Sequence, residues 1–376
     1  MTKKKKGPTL IDCLEEVPDP RIERCRRHKL IDILFIAICA VICGAESFTQ
    51  MEEFGEAKED WLRQFLELPS GIPSHDTFRR VLGRLNPPAV QACLRRWVGG
   101  VVSWTEGQIV AIDGKTVRRS HNKAAGAAAI ELVSAWAQQD RMTLGQVKVA
   151  DDSNEITAVP ELLRLLEIEG CLVTVDALNT QKEIADQIRE QGAEYVLALK
   201  GNHGTMHQEV ADFLLAVQQE RTLGYEISTH QTVDGEHGRI ETRIFWQAEA
   251  PLHLTGHSQW RDLRSVGMVH ATREIGDHRS TEVRSYLSSL PVDAVRFSQA
   301  VRGHWSIENS CHWILDVVFL EDDCRVRIGH AAENLAFLRR LALSLLSQEK
   351  SVKRGVKTKR FKAALDDHYL LKILMV

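Results

Sequence analysis

Hydrophobic and polar positions follow a helical period through the first hundred residues and a strand period after that. The run LIDILFIAICAVICGA (30–45) is apolar almost throughout and predicts a buried helix over 30–43. Residues 52–66 set Phe54, Trp61, Leu62 and Phe65 close to helical spacing and predict a second. GIPSHDTFRRVLGRLNP (71–87) opens on a capping signal, Ser74 with Asp76 close behind, and stops at Asn86-Pro87-Pro88. A further helix over 88–98 completes a small helical unit, with Arg79, Arg80, Arg84, Arg95 and Arg96 adding positive charge to it.

From residue 108 the rhythm shortens. QIVAID (108–113), LVSAWA (132–137) and LGQVKVA (144–150) read as three strands, the last two joined by the turn QQDRM. SNEITAVPELLRLLEI (153–168) reads as a helix ended by Gly170, CLVTVD (171–176) as a strand, 180–192 as a helix and YVLALK (195–200) as a strand. Three consecutive strands predict an antiparallel meander, and the strand–helix–strand units that follow predict parallel pairing. Together they give an α/β fold, a mixed sheet with helices on its faces. After a helix over 205–220, glycines 235, 238 and 276 punctuate alternating segments, so 205–295 reads as a β-rich insertion. Helical pattern returns over 293–319 and 330–348.

The overall charge of −3 is uninformative, but its distribution is not. Lys3 to Lys6 open the chain, and Lys350, Lys353, Arg354, Lys357, Lys359, Arg360 and Lys362 crowd its last part. Such clusters either bind phosphates or are solvated tails. Eight scattered cysteines without a CxxC pair fit a reducing cytosol, and the 30–45 run is short for a membrane span. A cytoplasmic protein is expected, associated with the nucleoid when it holds DNA, with no membrane partner.

Three acids stand out by position. Asp113 ends the first strand, Asp176 ends the fourth, and Glu308 lies in the late helical segment HWSIENSCHW. Asp113-Gly114 is also a strong hairpin signal, so a turn is one reading of it. Acids at the carboxyl ends of neighbouring parallel strands converge on one site, and carboxylates suit Mg²⁺ or Mn²⁺. Two such ions would serve an in-line phosphoryl displacement. His304, Glu308 and His312 at i, i+4 and i+8 offer a competing zinc stripe, but a regular helix splays them too far for one tetrahedral ion. Basic side chains follow the acids. Lys115, Arg118 and Arg119 come after Asp113, Lys200 with Asn202 after the fifth strand, His237 and Arg239 in the insertion, and Arg302 and His304 before Glu308. Each is a candidate DNA contact or a solvated charge. Trp246 and Trp260 read as core residues rather than as a platform for a flipped base.

Seven segments in order carry a family resemblance: GIPSHDTFRRVLGRLNP, VAIDGKTVRRS, SNEITAVPELL, GCLVTVDALNTQKEIADQI, GAEYVLALKGNH, DGEHGRIETR and VRGHWSIENSCHWILDVVFLEDDCRVR. Over nearly its whole length the chain resembles bacterial insertion-sequence transposases of the DDE class, in the H-repeat-associated branch. The resemblance implies a ribonuclease-H-like core using a DDE triad and divalent metal to cut and join DNA. By motif the triad falls on Asp113, Asp176 and Glu308, which would act as metal ligands. Related transposases carry Tyr-x2-Arg-x3-Glu-x6-Lys around the glutamate. Here those positions hold Val301, His304 and Leu315, and the form is HWSIEN instead.

The expected organisation is an N-terminal helical domain (1–100), a first part of the catalytic core (105–204), the β-rich insertion (205–295), core helices with the glutamate (296–349) and a basic tail (350–376). The expected substrate is double-stranded DNA, the element's inverted-repeat ends and its target, bound by a homodimer with one or, more naturally, two Mg²⁺ or Mn²⁺ ions. Two other readings compete. One is a non-catalytic DNA-binding remnant or repressor of such an element. The other is a structure-selective nuclease on the same core, to which a long insertion is less natural.

Overall fold

The computed structural model describes residues 8–102, 106–121, 126, 128–220, 224–236 and 238–375. Lys3 to Lys6 and His237, singled out above, lie outside them. In chain order the helices begin with α1 (Leu10–Glu15), α2 (Leu30–Cys43), α3 (Phe48–Ala57), α4 (Glu59–Leu62), α5 (His75–Arg84) and α6 (Pro87–Val101). Next come β1 (Ile109–Thr116), β2 (Glu131–Ala137), β3 (Met142–Lys148), α7 (Glu155–Arg164), β4 (Leu172–Val175), α8 (Lys182–Glu190), β5 (Glu194–Leu199) and α9 (Gly204–Glu220). The long strands β6 (Ile227–Glu236), β7 (Arg239–Glu249), β8 (Ser265–Ile275) and β9 (His278–Ser288) lead to α10 (Ala294–Ile307). A π-helical turn over Glu308–His312 joins α10 to α11 (Trp313–Val317), and α12 (Ala331–Gln348), α13 (Val356–Leu365) and α14 (Asp367–Leu374) follow.

Backbone proximity divides the chain into two units: 1–104 with 114–153 and 308–376, and 105–113 with 154–307. In the second unit a mixed sheet runs β1-β4-β5-β9-β8-β7-β6. β4 is parallel to both β1 and β5, while β5 to β9 and all pairs among β6 to β9 are antiparallel. The expected β-rich insertion is therefore continuous with the core sheet, an extension of it through β9. Helix α10 packs on the face that carries Ile109, Leu172, Val196, Phe245, Val269 and Tyr286. The alternate residues Val173, Val175, Leu197 and Leu199 are buried too, and α8 lies on β5, so both faces are covered. This is the mixed α/β arrangement expected of a ribonuclease-H-like core. Close approach of α10 depends on two glycines. A Cβ on Gly303 would meet Ile109 Cδ1 at 2.8 Å, and one on Gly267 would meet the Phe297 ring at 2.4 Å.

In the first unit β2 and β3 form an antiparallel hairpin whose turn uses Arg141 at φ +51°. Helix α12 is buried along nearly its whole length and contacts α2, α5 and β3. Within it Arg340 forms a fully buried ion pair with Glu321, Nη1 to Oε1 2.9 Å, and donates from Nε to Ser134 Oγ. Helix α2 is buried on all sides, which its uniform apolarity requires. Each large aliphatic or aromatic side chain so removed from water contributes roughly 1.5–3 kcal/mol. No single helix among the described residues is long and apolar enough to cross a membrane; α2 and α3 reach that length only as a pair bent by 96°.

Three expectations need correction. Asp113-Gly114 is not a hairpin turn: β1 continues through it to Thr116, and Gly114 does not take the positive φ such a turn needs. The extension is held by tertiary partners, Lys115 on Asp316 and the Val117 amide on the Ile130 carbonyl. The helix over 52–66 begins earlier, at a capping box between Ser47 and Gln50, and breaks at Lys58, after which Trp61 and Leu62 are buried. The late helix over 293–319 is interrupted by the π-turn at Glu308. The basic end of the chain is also folded as α13 and α14, with Lys359 and Arg360 buried.

Candidate functional site

Parallel register sets the geometry of the second unit's acids. β1 and β4 pair Ile112 with Val175, so Asp113 within β1 and Asp176 just past β4 stand side by side. Both are partly buried. Asp176 is oriented from its own loop: Asn179 donates to its Oδ1 from the backbone N at 3.0 Å and from Nδ2 at 2.9 Å. The same Nδ2 donates to Glu155 Oε2 at 2.8 Å. Thr180 Oγ1 donates to the Asp176 and Ala198 carbonyls, and Asn202 Nδ2 to the Ala177 carbonyl at 2.8 Å. Asn202 thus fixes the loop that follows Asp176.

Beside Asp176 is a small open cleft, lined among others by Lys200, Arg284, Tyr286, His304 and Trp305. His304 Nδ1 lies 3.1 Å from Thr174 Oγ1, which fixes α10 over β4 one turn before its end. Arg284 stacks over the Trp305 ring, 4.6 Å from its centroid, and its guanidinium is held in a fork by Glu282. Burial opposes the charge on Arg284, but Glu282 holds its pKa above the ordinary range, while burial pushes the Tyr286 hydroxyl up to about 12. Arg302 pairs with Asp234 at 2.9 Å, and Arg239 pairs with Glu241.

Glu308 is the residue after the last of α10 and opens the π-turn. In the first unit its Oε2 lies 3.2 Å from His312 Nδ1. His312 is buried, and burial lowers its pKa, so a neutral ring is favoured. π-turns inside helices are frequent at functional sites, and this one alters the regular helical spacing of His304, Glu308 and His312. Lys115, Arg118 and Arg119 also lie in this unit. Lys115 is buried between Asp316 and Asp322, Arg118 pairs with Asp322 at 3.1 Å, and Arg119 pairs with Asp323 at 3.1 Å. Among the candidate DNA contacts, Lys200 and His304 therefore share the cleft with Asp176, whereas Lys115, Arg118, Arg119, Arg239 and Arg302 have carboxylate partners.

Sequence reasoning passed over Asn179, Glu155, Arg284 and Trp305. Asn179 had a local signal, an amide three residues beyond a strand-end acid, which can turn back on it. Arg284 had none, because only the register of β9 on β5 brings it here.

Two family descriptions match the chain, DDE_Tnp_1-associated over residues 11–98 and Transposase DDE domain over residues 104–345. YncI of Escherichia coli O157:H7, provisionally named a transposase, is 38% identical over 97% of this chain and 94% of its own. YhhI of Escherichia coli K12, provisionally named an H repeat-associated transposase, is 37% identical over 97% of each chain. YbfQ of the same strain, named an inactive transposase, is 44% identical but covers only 20% of this chain. Among solved structures, a piggyBac transposase synaptic complex with hairpin DNA aligns with 12% identity and a TM-score of 0.40, over 99% of this chain and 84% of that one.

Proposed function

Because the chain belongs to the family of transposases with a DDE catalytic domain, we propose that it cuts and joins DNA strands at the ends of an insertion sequence. The observation that supports this reading is the register of β1 on β4, which sets Asp113 and Asp176 at matching positions just beyond the paired stretch of two parallel strands. Glu308 is taken as the third acid of the triad because its segment HWSIEN resembles the family's glutamate motif.

The donor set fits Mg²⁺ or Mn²⁺. Asp113, Asp176 and Glu308 offer hard oxygen atoms, and Asn179 engages only Oδ1 of Asp176, leaving Oδ2 for an ion. Two bound ions would supply activation of the attacking oxygen and charge neutralisation at the phosphate. The protein's own part is orientation. Asn179 and Glu155 fix the Asp176 carboxylate, Thr180 and Asn202 fix its loop, and Lys200 offers a cation to a phosphate in the cleft. The reactions are hydrolysis at the element's ends and then attack of the freed 3′-hydroxyl on target DNA. An element has two ends, and a homodimer on DNA in the cytoplasm supplies a site for each.

Replacing Asp113, Asp176 or Glu308 by Ala is expected to abolish Mg²⁺- or Mn²⁺-dependent strand cleavage while DNA binding persists. Full cleavage by D176A would overturn the reading. Binding of repeat DNA by the unaltered protein, with no cleavage in Mn²⁺, would establish the non-catalytic alternative instead.

A further inference from the structure

Helix α5 turns Phe78, Val81 and Leu82 inward, which leaves Arg80 and Arg84, one turn apart, exposed on its outer side. The loop that precedes α12 lies against the end of this helix. The His330 amide donates to the Gly83 carbonyl at 3.0 Å. Gly329, at φ +48°, approaches so closely that a Cβ there would fall 2.2 Å from that same oxygen. The loop carries exposed Arg325, Arg327 and His330, of which His330 lies against the end of α5. On its other side Arg327 donates from Nε and Nη2 to the Arg119 carbonyl at 3.4 Å, and Arg119 pairs with Asp323. A strip of basic side chains thus runs from Arg118 and Arg119 through the loop to α5, entirely within the first unit.

The acids along the strip are already engaged. Asp76 pairs with Arg79, Asp322 with Lys115 and Arg118, and Asp323 with Arg119. Arg80, Arg84, Arg325 and Arg327 have no carboxylate partner among the described residues; Arg80 and Arg327 donate only to the carbonyls of Asp76 and Arg119. Four unneutralised guanidiniums on a backbone-braced ridge match a partner with a line of negative charges. We propose that this strip is a track for the phosphate backbone of duplex DNA, distinct from the residues that hold the phosphate being cut. The proposal rests on the transposase reading for the choice of a nucleic-acid partner.

The test uses the full chain, a labelled duplex of about 30 base pairs, EDTA to prevent cleavage, and anisotropy titrations across roughly 50–200 mM salt, where phosphate contacts dominate. The R80A/R84A/R325A/R327A variant is expected to lose affinity and to show a slope of log K against log salt shallower by about 3 to 4, at about 0.9 per lost contact. The four-fold Arg→Lys variant keeps the charges and is expected to retain most of the slope, which separates lost charge from a disturbed fold. K353A/R354A/K357A removes comparable charge elsewhere and is expected to keep the slope. An unchanged slope in the Ala variant overturns the track, as does an equal loss in the K353A/R354A/K357A control. Cleavage in Mn²⁺ is read separately. A protein that cuts DNA but ignores the four arginines sinks the track alone, and one that binds through them but never cuts sinks only the catalytic reading.

Discussion

Asn179 donates through one amide nitrogen to two carboxylates, Asp176 and Glu155, and adds its backbone amide to the first. Its side chain orients a proposed metal ligand. Groups that orient ligands in this way typically cost 10–100-fold when removed. Asn179→Ala is expected to lower Mn²⁺-dependent cleavage by about that factor and to raise the Mn²⁺ concentration for half-maximal rate, with DNA affinity unchanged. A loss of rate at an unchanged Mn²⁺ requirement would argue for a merely structural role. At this scale the sequence is readable where a residue's place follows from its own element. Asp113 and Asp176 end apolar runs and stand out on that pattern, although β1 runs on past Asp113 to Thr116. Arg284 and Trp305 meet only through the register of a long insertion strand and the packing of α10, which no local pattern encodes.

Helix α2 shows what a long apolar element does to the one acid inside it. Asp32 is 1% exposed and has no ion-pair partner among the described residues, and burial pushes its pKa above the ordinary 3.8. A folded-state value above the unfolded one means that the native protein binds this proton more tightly. The group's stabilising contribution is therefore complete below 3.8 and is lost as pH rises through the folded-state value. Asp32→Asn is expected to be more stable than the unaltered protein at about pH 7, by roughly 1–2 kcal/mol, with the gain shrinking toward about pH 4. Urea melts at the two pH values would measure it, and an equal difference at both would contradict the assignment. Element identity was legible almost throughout, because the periods are long; Gly192 takes a positive φ where α8 ends, whereas α7 already stops at Arg164, ahead of the expected stop at Gly170. The misreadings have tertiary causes. The extension of β1 through Asp113-Gly114 depends on Asp316 and Ile130, far away in sequence, and the π-turn at Glu308 breaks a pattern that is helical on both sides.

At the scale of the whole molecule, a bound ion would stabilise the folded chain in proportion to its occupancy. If Asp113, Asp176 and Glu308 hold divalent metal, saturating Mn²⁺ should raise the melting temperature, since a ligand at a hundred times its Kd adds about 2.7 kcal/mol. The rise is expected in the unaltered protein and not in D176A; equal rises in both would place the ion elsewhere. The sequence revealed the order of elements but not that the first unit is assembled from three separated stretches, because return of the chain to an earlier unit leaves no periodic trace. Arg360 makes that return concrete. Its guanidinium reaches the carbonyls of Val41 and Val318, and burial lowers its pKa to about 10. The Val41 carbonyl, which accepts from the Gly44 amide in its own cap, therefore gains its second donor from 319 residues downstream. At ribosomal rates of about 5–20 residues per second that delay is roughly 15–65 seconds. During synthesis α2 has α1 and α3 beside it at once but waits for α12 and α13 to complete its cover. A nascent chain stalled before residue 360 would leave it without this clasp, a natural substrate for chaperones and proteases.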